Sequence, residues 1–124
     1  MMKLYGSLLI IDDEVDFCEI IGSALRNECS HITVANSIGE AVQRLLSEKP
    51  EIMILDYNLP DGTGLDLVNQ FSYLIGDVPI ILVTANPTQQ IKQNAKDLGI
   101  NDVLQKPFAL TRLRELLWSK RHLE

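Results

Sequence analysis

The stretch ILDYNLPDGTG, residues 54–64, runs from an apolar segment into a loop rich in Pro and Gly, with one carboxylate, Asp56, at the junction. An apolar segment without alternating polar residues is typical of a strand that is buried on both faces of a parallel sheet. Two other segments, LLII at 8–11 and IILV at 80–83, have the same character. These stretches predict the central strands of a parallel sheet.

Two weaker segments, HITVA at 31–35 and DVL at 102–104, are also predicted to be strands. With LLII at 8–11, IMIL at 52–55 and IILV at 80–83 they make five predicted strands. Apolar residues at helical spacing follow each strand. The expected buried faces are Phe17, Ile20, Ile21, Ala24 and Leu25 in the first helix, Ala41, Val42, Leu45 and Leu46 in the second, Leu65, Val68, Phe71 and Leu74 or Ile75 in the third, Ile91, Ala95 and Leu98 in the fourth, and Leu110, Leu113, Leu116 and Leu117 in the fifth. The alternation predicts an α/β sandwich with helices on both faces of the sheet and right-handed crossovers.

Three details of the helices are also expected. Ser37 and Glu40 have the spacing of a capping box at the start of the second helix. The third helix is expected to run from about residue 64 to residue 75. Trp118 is expected to pack at the end of the fifth helix.

Length and composition are those of one ordinary globular domain, residues 1–124. The 17 acidic and 11 basic residues give a net charge of −6, which argues against direct binding to nucleic acid or to an anionic membrane. The start, MMKLYGSLLIIDDE, lacks the apolar core of a signal peptide, and we expect a cytoplasmic location and no membrane span. Cys18 and Cys29 have no metal-binding spacing, and we expect both to be buried structural residues.

Polar residues stand where the predicted strands end. Asp12 and Asp13 follow strand 1, Asp56 follows strand 3, Thr84 ends strand 4 and Lys106 follows strand 5. In an open sheet of order 2-1-3-4-5, strands 1 and 3 are neighbours at the point where the order reverses, so the three aspartates converge. Crowded carboxylates repel one another unless a cation lies between them, and Mg²⁺ prefers such oxygen ligands. A magnesium site is therefore expected at this edge.

The ordered set IIDDE, LDYNLPDGTG, VTA and QKPF closely resembles the receiver domains of two-component response regulators, over a core of about residues 7–120. The resemblance implies a flavodoxin-like (βα)5 three-layer sandwich with the parallel sheet order 2-1-3-4-5. It also implies a phosphoprotein in a phosphorelay: a signalling switch that catalyses its own phosphorylation and dephosphorylation, rather than a conventional enzyme. Its partner would be a sensor histidine kinase or a phosphotransfer protein.

The same resemblance implies a role for each residue of the site. Asp56 would be the phosphoacceptor, and it would bind Mg²⁺ together with Asp12, Asp13 and the backbone carbonyl of Asn58. Lys106 would contact an oxygen of the acyl phosphate.

Further roles surround these residues. Thr84 would move to hydrogen-bond the phosphate, with Ala85 and Asn86 beside it. Pro107 would follow a cis peptide bond.

Three residues before Lys106, receivers usually carry Tyr or Phe, whereas this chain carries Val103. Valine has no ring to swing between buried and exposed positions. We therefore expect the signal to leave through backbone shifts of the loop after Thr84 and of the fourth helix. The face of helix 4, strand 5 and helix 5 is the expected output surface and a possible homodimer interface.

Simpler interpretations exist for each residue taken alone. Asp12 and Asp13 suit the start of a helix, and Asp56 with its Asn, Pro and Gly neighbours suits a turn. Three alternative functions also remain: a degenerate receiver that acts only as a docking platform, a Mg²⁺-dependent phosphatase with an aspartyl-phosphate intermediate, and a flavodoxin-like binding module. Phosphatases of that kind carry the pattern D-x-D at the nucleophile, whereas here the residue two positions after Asp56 is Asn58. This difference argues against the phosphatase. The acidic DDE after strand 1 argues against direct phosphate binding.

Overall fold

The computed structural model describes residues 3–122, in which strands and helices alternate as the sequence predicts. The strands are β1 (Tyr5–Ile11), β2 (Cys29–Ala35), β3 (Ile52–Asp56), β4 (Asn58–Leu59), β5 (Gly62–Thr63), β6 (Ile80–Thr84) and β7 (Asp102–Gln105). The helices are α1 (Val15–Ala24), α2 (Ile38–Ser47), α3 (Gly64–Gln70), α4 (Ser72–Ile75), α5 (Gln89–Asp97) and α6 (Leu110–His122).

Five strands form one sheet in the order β2-β1-β3-β6-β7, and every neighbouring pair in it is parallel. The predicted α/β class and strand order are thus confirmed, because β6 and β7 are the predicted fourth and fifth strands. A hairpin of two residues per strand, β4 and β5, was not predicted. The hairpin was missed because two residues are too few to show the side-chain pattern by which a strand is recognised in a sequence.

The described residues form two apolar cores, one on each face of the sheet. Alternate side chains of a strand point to opposite faces, so each central strand contributes to both cores. The first core lies under α2, α3, α4 and α5, and its strand residues include Leu9, Ile11, Met53, Leu55 and Leu82. The second lies under α1 and α6, and its strand residues include Leu8, Ile10, Ile52, Ile54 and Ile81. Burial on both faces explains why these strands are continuous apolar runs.

Several details of the helices differ from the expectation. Ile20 and Leu46 were expected to be buried, but they are 61% and 62% exposed. In each helix the part of the surface that contacts the sheet covers fewer residues than the apolar pattern predicts. Trp118 is 59% exposed, since it lies about 100° around the helix from Leu117, which is buried. The third predicted helix breaks at Phe71, whose φ of −117° and ψ of 29° lie outside helical geometry.

Helix capping is also only partly as predicted. The Ser37 hydroxyl accepts from the backbone N–H of Glu40 at 3.1 Å, but the Glu40 carboxylate accepts from Asn36 instead of Ser37. A complete capping box lies at the start of α3. There the Thr63 hydroxyl accepts from Asp66 N at 3.1 Å, and the Asp66 carboxylate accepts from Thr63 N at 2.9 Å.

Both cysteines are free and buried, as predicted. Burial, with smaller effects of nearby acidic groups, raises the pKa of each thiol from 9.0 to about 11. Across residues 3–122, none of the helices has the length and apolar character that a membrane crossing requires.

Candidate functional site at the carboxyl edge of the sheet

Asp56 is the last residue of β3, the middle strand of the sheet, and only 6% of it is exposed. It pairs with Val83 in β6. Directly after it, the backbone N–H of Tyr57 donates to Val83 O at 2.8 Å, and Gly64 N donates to Tyr57 O at 2.7 Å. The backbone on both sides of Asp56 is therefore held by the sheet and by the start of α3.

Gly64 is required by this close approach of α3 to β3. A Cβ atom at this position would run into the carbonyl oxygen of Asp56 and would lie 2.9 Å from Cγ of Leu55. A side chain here would push α3 away from the strand end that carries Asp56. The second glycine of DGTG therefore allows the tight start of α3.

The carboxylates of Asp12, Asp13 and Asp56 meet at this edge, and among the described residues their ligand oxygens all lie within 4.8 Å of one another. Asp12 is almost completely buried, whereas Asp13 is exposed. Asp12 is held by its neighbours: its Oδ1 accepts from Glu14 N at 2.9 Å, and its carbonyl oxygen accepts from Asn36 Nδ2 at 2.8 Å. Converging carboxylate oxygens are the donors that a hard divalent cation prefers, and the set fits such an ion.

The pKa of Asp56 shows the electrostatic cost of this arrangement. Burial, and then the neighbouring charge of Asp12, raise the pKa of Asp56 from 3.8 to about 6. The Lys106 ammonium and a hydrogen bond from the backbone of Asn58 act in the opposite direction, but they do not outweigh the first two causes. A bound cation would favour the ionised form of Asp56.

Lys106 is the positive group of the site, and its Nζ lies between several acids. It donates to Asp12 Oδ2 at 2.7 Å and to Glu14 Oε1 at 2.9 Å, whereas Asp56 Oδ2 is 3.8 Å away. Its ammonium also lies 4.1 Å from the centre of the Phe17 ring. Burial lowers the pKa of Lys106, but the hydrogen bonds to Asp12 and Glu14 outweigh it and hold the pKa above its usual value. The position of Lys106 at this edge was predicted from the sequence, but its contact with Glu14 was not. The only sequence signal for that contact is the third acid of DDE.

Thr84 is the last residue of β6 and is buried. Its hydroxyl accepts from the backbone N–H of Asn86 at 3.2 Å, so this side chain is positioned by the loop that follows it. The Lys106–Pro107 peptide bond is cis, as expected.

An open cavity of about 220 Å³ joins these groups. It is lined by Asp13, Glu14, Asp56, Asn58, Leu59, Pro60, Ala85 and Lys106. Five of the predicted site residues thus line one space that is large enough for a phosphoryl group: Asp13, Asp56, Asn58, Ala85 and Lys106. Asp12 and Thr84 are buried at the same edge of the sheet and are not part of this lining.

Comparison with models of protein families matches residues 8–117 to the response regulator receiver domain. The chain belongs to this family. The receiver domain is 32% identical over 111 residues to the transcriptional regulatory protein KdpE of Staphylococcus aureus, a match that covers 90% of this chain and 48% of KdpE. It is 35% identical over 109 residues to the response regulator protein PilR of Pseudomonas aeruginosa, covering 88% of this chain and 24% of PilR. The chain therefore spans about half of the first relative and a quarter of the second.

Solved structures agree with the fold. The receiver domain matches a two-component response regulator from Clostridium difficile with a TM-score of 0.88 and 28% identity, covering 96% of this chain and 98% of that one. It also matches a CheY-like receiver domain protein from Methanospirillum hungatei with a TM-score of 0.87 and 22% identity, covering 94% of each chain. At that identity, the second match concerns the fold alone.

Val103 lies outside the acidic cavity of the receiver domain. It is half-buried in β7, beside Leu82 of β6 in the sheet register. With Lys92 and Lys96 of α5 it lines a separate hollow of about 310 Å³. This chain therefore carries a small, half-buried side chain next to α5, at the position where the resemblance to receiver domains implies an aromatic ring.

Proposed function

We propose that this domain is a phosphorylation-dependent switch and that Asp56 is its phosphoacceptor. The phosphoryl group would come from a phosphohistidine of a sensor histidine kinase or a phosphotransfer protein. One observation carries the proposal: three carboxylates, one ammonium and one buried strand-end hydroxyl stand at the same edge of the sheet. We also propose that residues 1–124 are a single receiver domain with a core of about residues 7–120.

The chemistry is a nucleophilic displacement at phosphorus. An Asp56 carboxylate oxygen forms a bond to phosphorus while the bond from phosphorus to the histidine nitrogen breaks. The electron pair of the broken bond stays on that nitrogen, which leaves as neutral imidazole when the other ring nitrogen carries a proton. No general base is needed, because the attacking carboxylate is already ionised.

Charge neutralisation is the main task of the surrounding groups. Lys106 would approach an oxygen of the new acyl phosphate, and the Thr84 hydroxyl would hydrogen-bond another. Asp12, Asp13, Asp56 and the backbone carbonyl of Asn58 would hold Mg²⁺, which neutralises phosphoryl charge when it is bound. The oxygen donor set supports this assignment, since Mg²⁺ accepts a few carboxylates and retains exchangeable waters.

An apolar groove of about 480 Å³ lies beside the acidic cavity and suits the partner that brings the phosphohistidine. It shares Glu14, Ala85 and Lys106 with that cavity and extends over Phe17 and Ile20. Ile20 is 61% exposed and, with Phe17, gives the groove a contiguous apolar wall of the kind that a partner protein covers. We expect Ile20→Glu to slow transfer from a phosphorylated phosphotransfer protein and to leave the reaction with acetyl phosphate unchanged.

The output surface is proposed to be the face of α5, β7 and α6. Because Val103 replaces the usual ring, we propose that the loop after Thr84 and helix α5 carry the change by backbone shifts. A homodimer through this face is a further prediction. Sedimentation equilibrium with and without beryllofluoride, a phosphoryl mimic, measures whether the dimer forms.

The deciding experiment is the intact mass of the protein after incubation with acetyl phosphate and Mg²⁺. We expect one added phosphoryl group, which Asp56→Ala and a chelator both abolish. Asp77→Ala is the matched control, because the Asp77 side chain is fully exposed and is not among the residues that line the acidic cavity. If no adduct forms and beryllofluoride does not bind either, the phosphoacceptor assignment is wrong and a docking role becomes the better account.

A further inference from the structure

We propose that Glu14 is a positioning residue for phosphoryl transfer at Asp56. Its carboxylate holds the Lys106 ammonium on the Asp12 side of the site, and Lys106 must leave Glu14 before it reaches a phosphoryl group on Asp56. This inference rests on the proposed function, and the experiment below separates a failure of one from a failure of the other.

The geometry of the ammonium group is the first observation. In the part of the chain that the structure describes, Lys106 forms ion pairs with Asp12, Glu14 and Asp56. Only the first two, at 2.7 and 2.9 Å, are hydrogen bonds, because the 3.8 Å separation from Asp56 is too long for one. The resting position of Lys106 is therefore set by Asp12 and Glu14 and not by the proposed phosphoacceptor.

The position of Glu14 is the second observation. Glu14 is the residue before the first turn of α1, and its backbone N–H is fixed by the hydrogen bond to Asp12 Oδ1 at 2.9 Å. This bond places the side chain at the rim of the acidic cavity, where it is 65% exposed. The Phe17 ring lies 4.1 Å from the same ammonium. Backbone anchoring and the ring together restrict where Lys106 can rest.

The two partners of Lys106 differ in what else they do. Asp12 belongs to the proposed cation-binding set, so a cation there competes with Lys106 for the same carboxylate. Glu14 is not in that set, so a cation held there does not compete with Lys106 for the Glu14 carboxylate. A phosphoryl group on Asp56 must then compete with Glu14 for the ammonium, and Glu14 also adds negative charge where an anionic phosphodonor enters.

Removing the charge of Glu14 should therefore speed phosphorylation. Because partly exposed ion pairs contribute little, we expect Glu14→Gln to raise the initial rate with acetyl phosphate only about two- to fivefold. In that reaction an Asp56 oxygen bonds to phosphorus, the bond from phosphorus to the acetyl oxygen breaks, and acetate leaves with the electron pair. Glu14→Asp keeps the charge on a shorter side chain and should give a rate between those of the wild type and Glu14→Gln.

The test uses two measurements on the wild type, Glu14→Gln, Glu14→Asp and a charge control, Asp16→Asn. Asp16 is exposed in the first turn of α1, and none of the ion pairs found for Lys106 within residues 3–122 involves it. The first measurement is acetylation of Lys106 by an amine-reactive reagent in the unphosphorylated protein, relative to the exposed Lys92 and Lys96. We expect about a twofold or larger increase in Glu14→Gln, because the ammonium loses a charged partner, and no increase in Asp16→Asn.

The second measurement is the initial rate of adduct formation by intact mass in the same four proteins. Faster phosphorylation in Glu14→Gln, with no change in Asp16→Asn, supports the proposal. Equal acceleration in both variants overturns it, because the cause would be net charge alone. Unchanged Lys106 acetylation in Glu14→Gln overturns the proposed contact, and an unchanged rate overturns the positioning role. If the wild type forms no adduct and does not bind beryllofluoride either, the proposed function fails and the positioning role fails with it, whatever the acetylation result.

Discussion

Replacing Asp56 by asparagine should stabilise the protein at neutral pH when no divalent cation is present. The pKa of Asp56 rises from 3.8 to about 6, mainly because of burial and then because of Asp12. Each pKa unit corresponds to about 1.36 kcal/mol, so ionisation of Asp56 costs the folded state up to about 3 kcal/mol. Asparagine keeps the shape of the side chain and removes the charge. The favourable interaction with Lys106 is already contained in this net pKa, and we expect a gain of about 1–3 kcal/mol.

The pH dependence of this gain follows from the direction of the shift. The folded state binds the Asp56 proton more tightly than the unfolded chain does, so raising the pH favours unfolding between the two pKa values. The difference between Asp56→Asn and the wild type should be small below pH 3.8, grow towards about pH 6, and be complete at neutral pH. This order is the reverse of that for a carboxylate stabilised by a salt bridge.

Urea unfolding at a series of pH values, in the presence of a chelator, measures the effect. The free energy of unfolding of a small domain falls by about 1–3 kcal/mol for each molar of urea. The urea concentration at the unfolding midpoint of Asp56→Asn should therefore lie about 1 M above that of the wild type at neutral pH. Mg²⁺ should reduce the difference, because it binds the folded wild type. Asp77→Asn serves as a control with a fully exposed side chain. A midpoint for Asp56→Asn equal to or below that of the wild type at neutral pH would refute the reasoning.

Three further predictions concern the packing of the domain. Gly64→Ala should destabilise the fold by about 1–3 kcal/mol in urea unfolding, because there is no room for a Cβ atom at this position. Gly22→Ala is the control: the atom nearest to its added Cβ would be 3.9 Å away, so this variant should be neutral or slightly stabilising. Thr63→Ala should cost about 1 kcal/mol through loss of the capping box of α3, and Thr63→Ser should restore most of it. Cys18 and Cys29 should react with a thiol reagent much more slowly than a free thiol near pH 8 and react at the ordinary rate in denaturant, because burial raises each thiol pKa to about 11.

The sheet was predictable because its central strands carry a strong signal. The runs at 8–11, 52–55 and 80–83 lie inside β1, β3 and β6, which are buried on both faces and so tolerate few polar residues. The edge strand β2 was predicted two residues short, because its outward side chains are polar. Convergence of the three aspartates also followed from the sequence, since strand order and strand ends suffice to bring them together.

Contacts that depend on side-chain direction were not predictable in the same way. Lys106 and Glu14 are 92 residues apart in the chain, and their hydrogen bond depends on the paths of two flexible side chains, of which that of Lys106 lies over the Phe17 ring. The exposure of Ile20 likewise depends on where the axis of α1 crosses the sheet. A helical period defines an apolar face but not which of its edge residues reach the core.

The central position of β3 has a consequence for how phosphorylation would be followed in solution. All five of its residues are buried, and it is paired to β1 on one side and β6 on the other. Amide hydrogens in such a strand exchange with deuterated solvent only when the whole domain opens, whereas loop amides exchange through local motions. Deuterium uptake by β3 is therefore an internal standard for global stability, against which any change in the loops around Asp56 can be read in a single experiment.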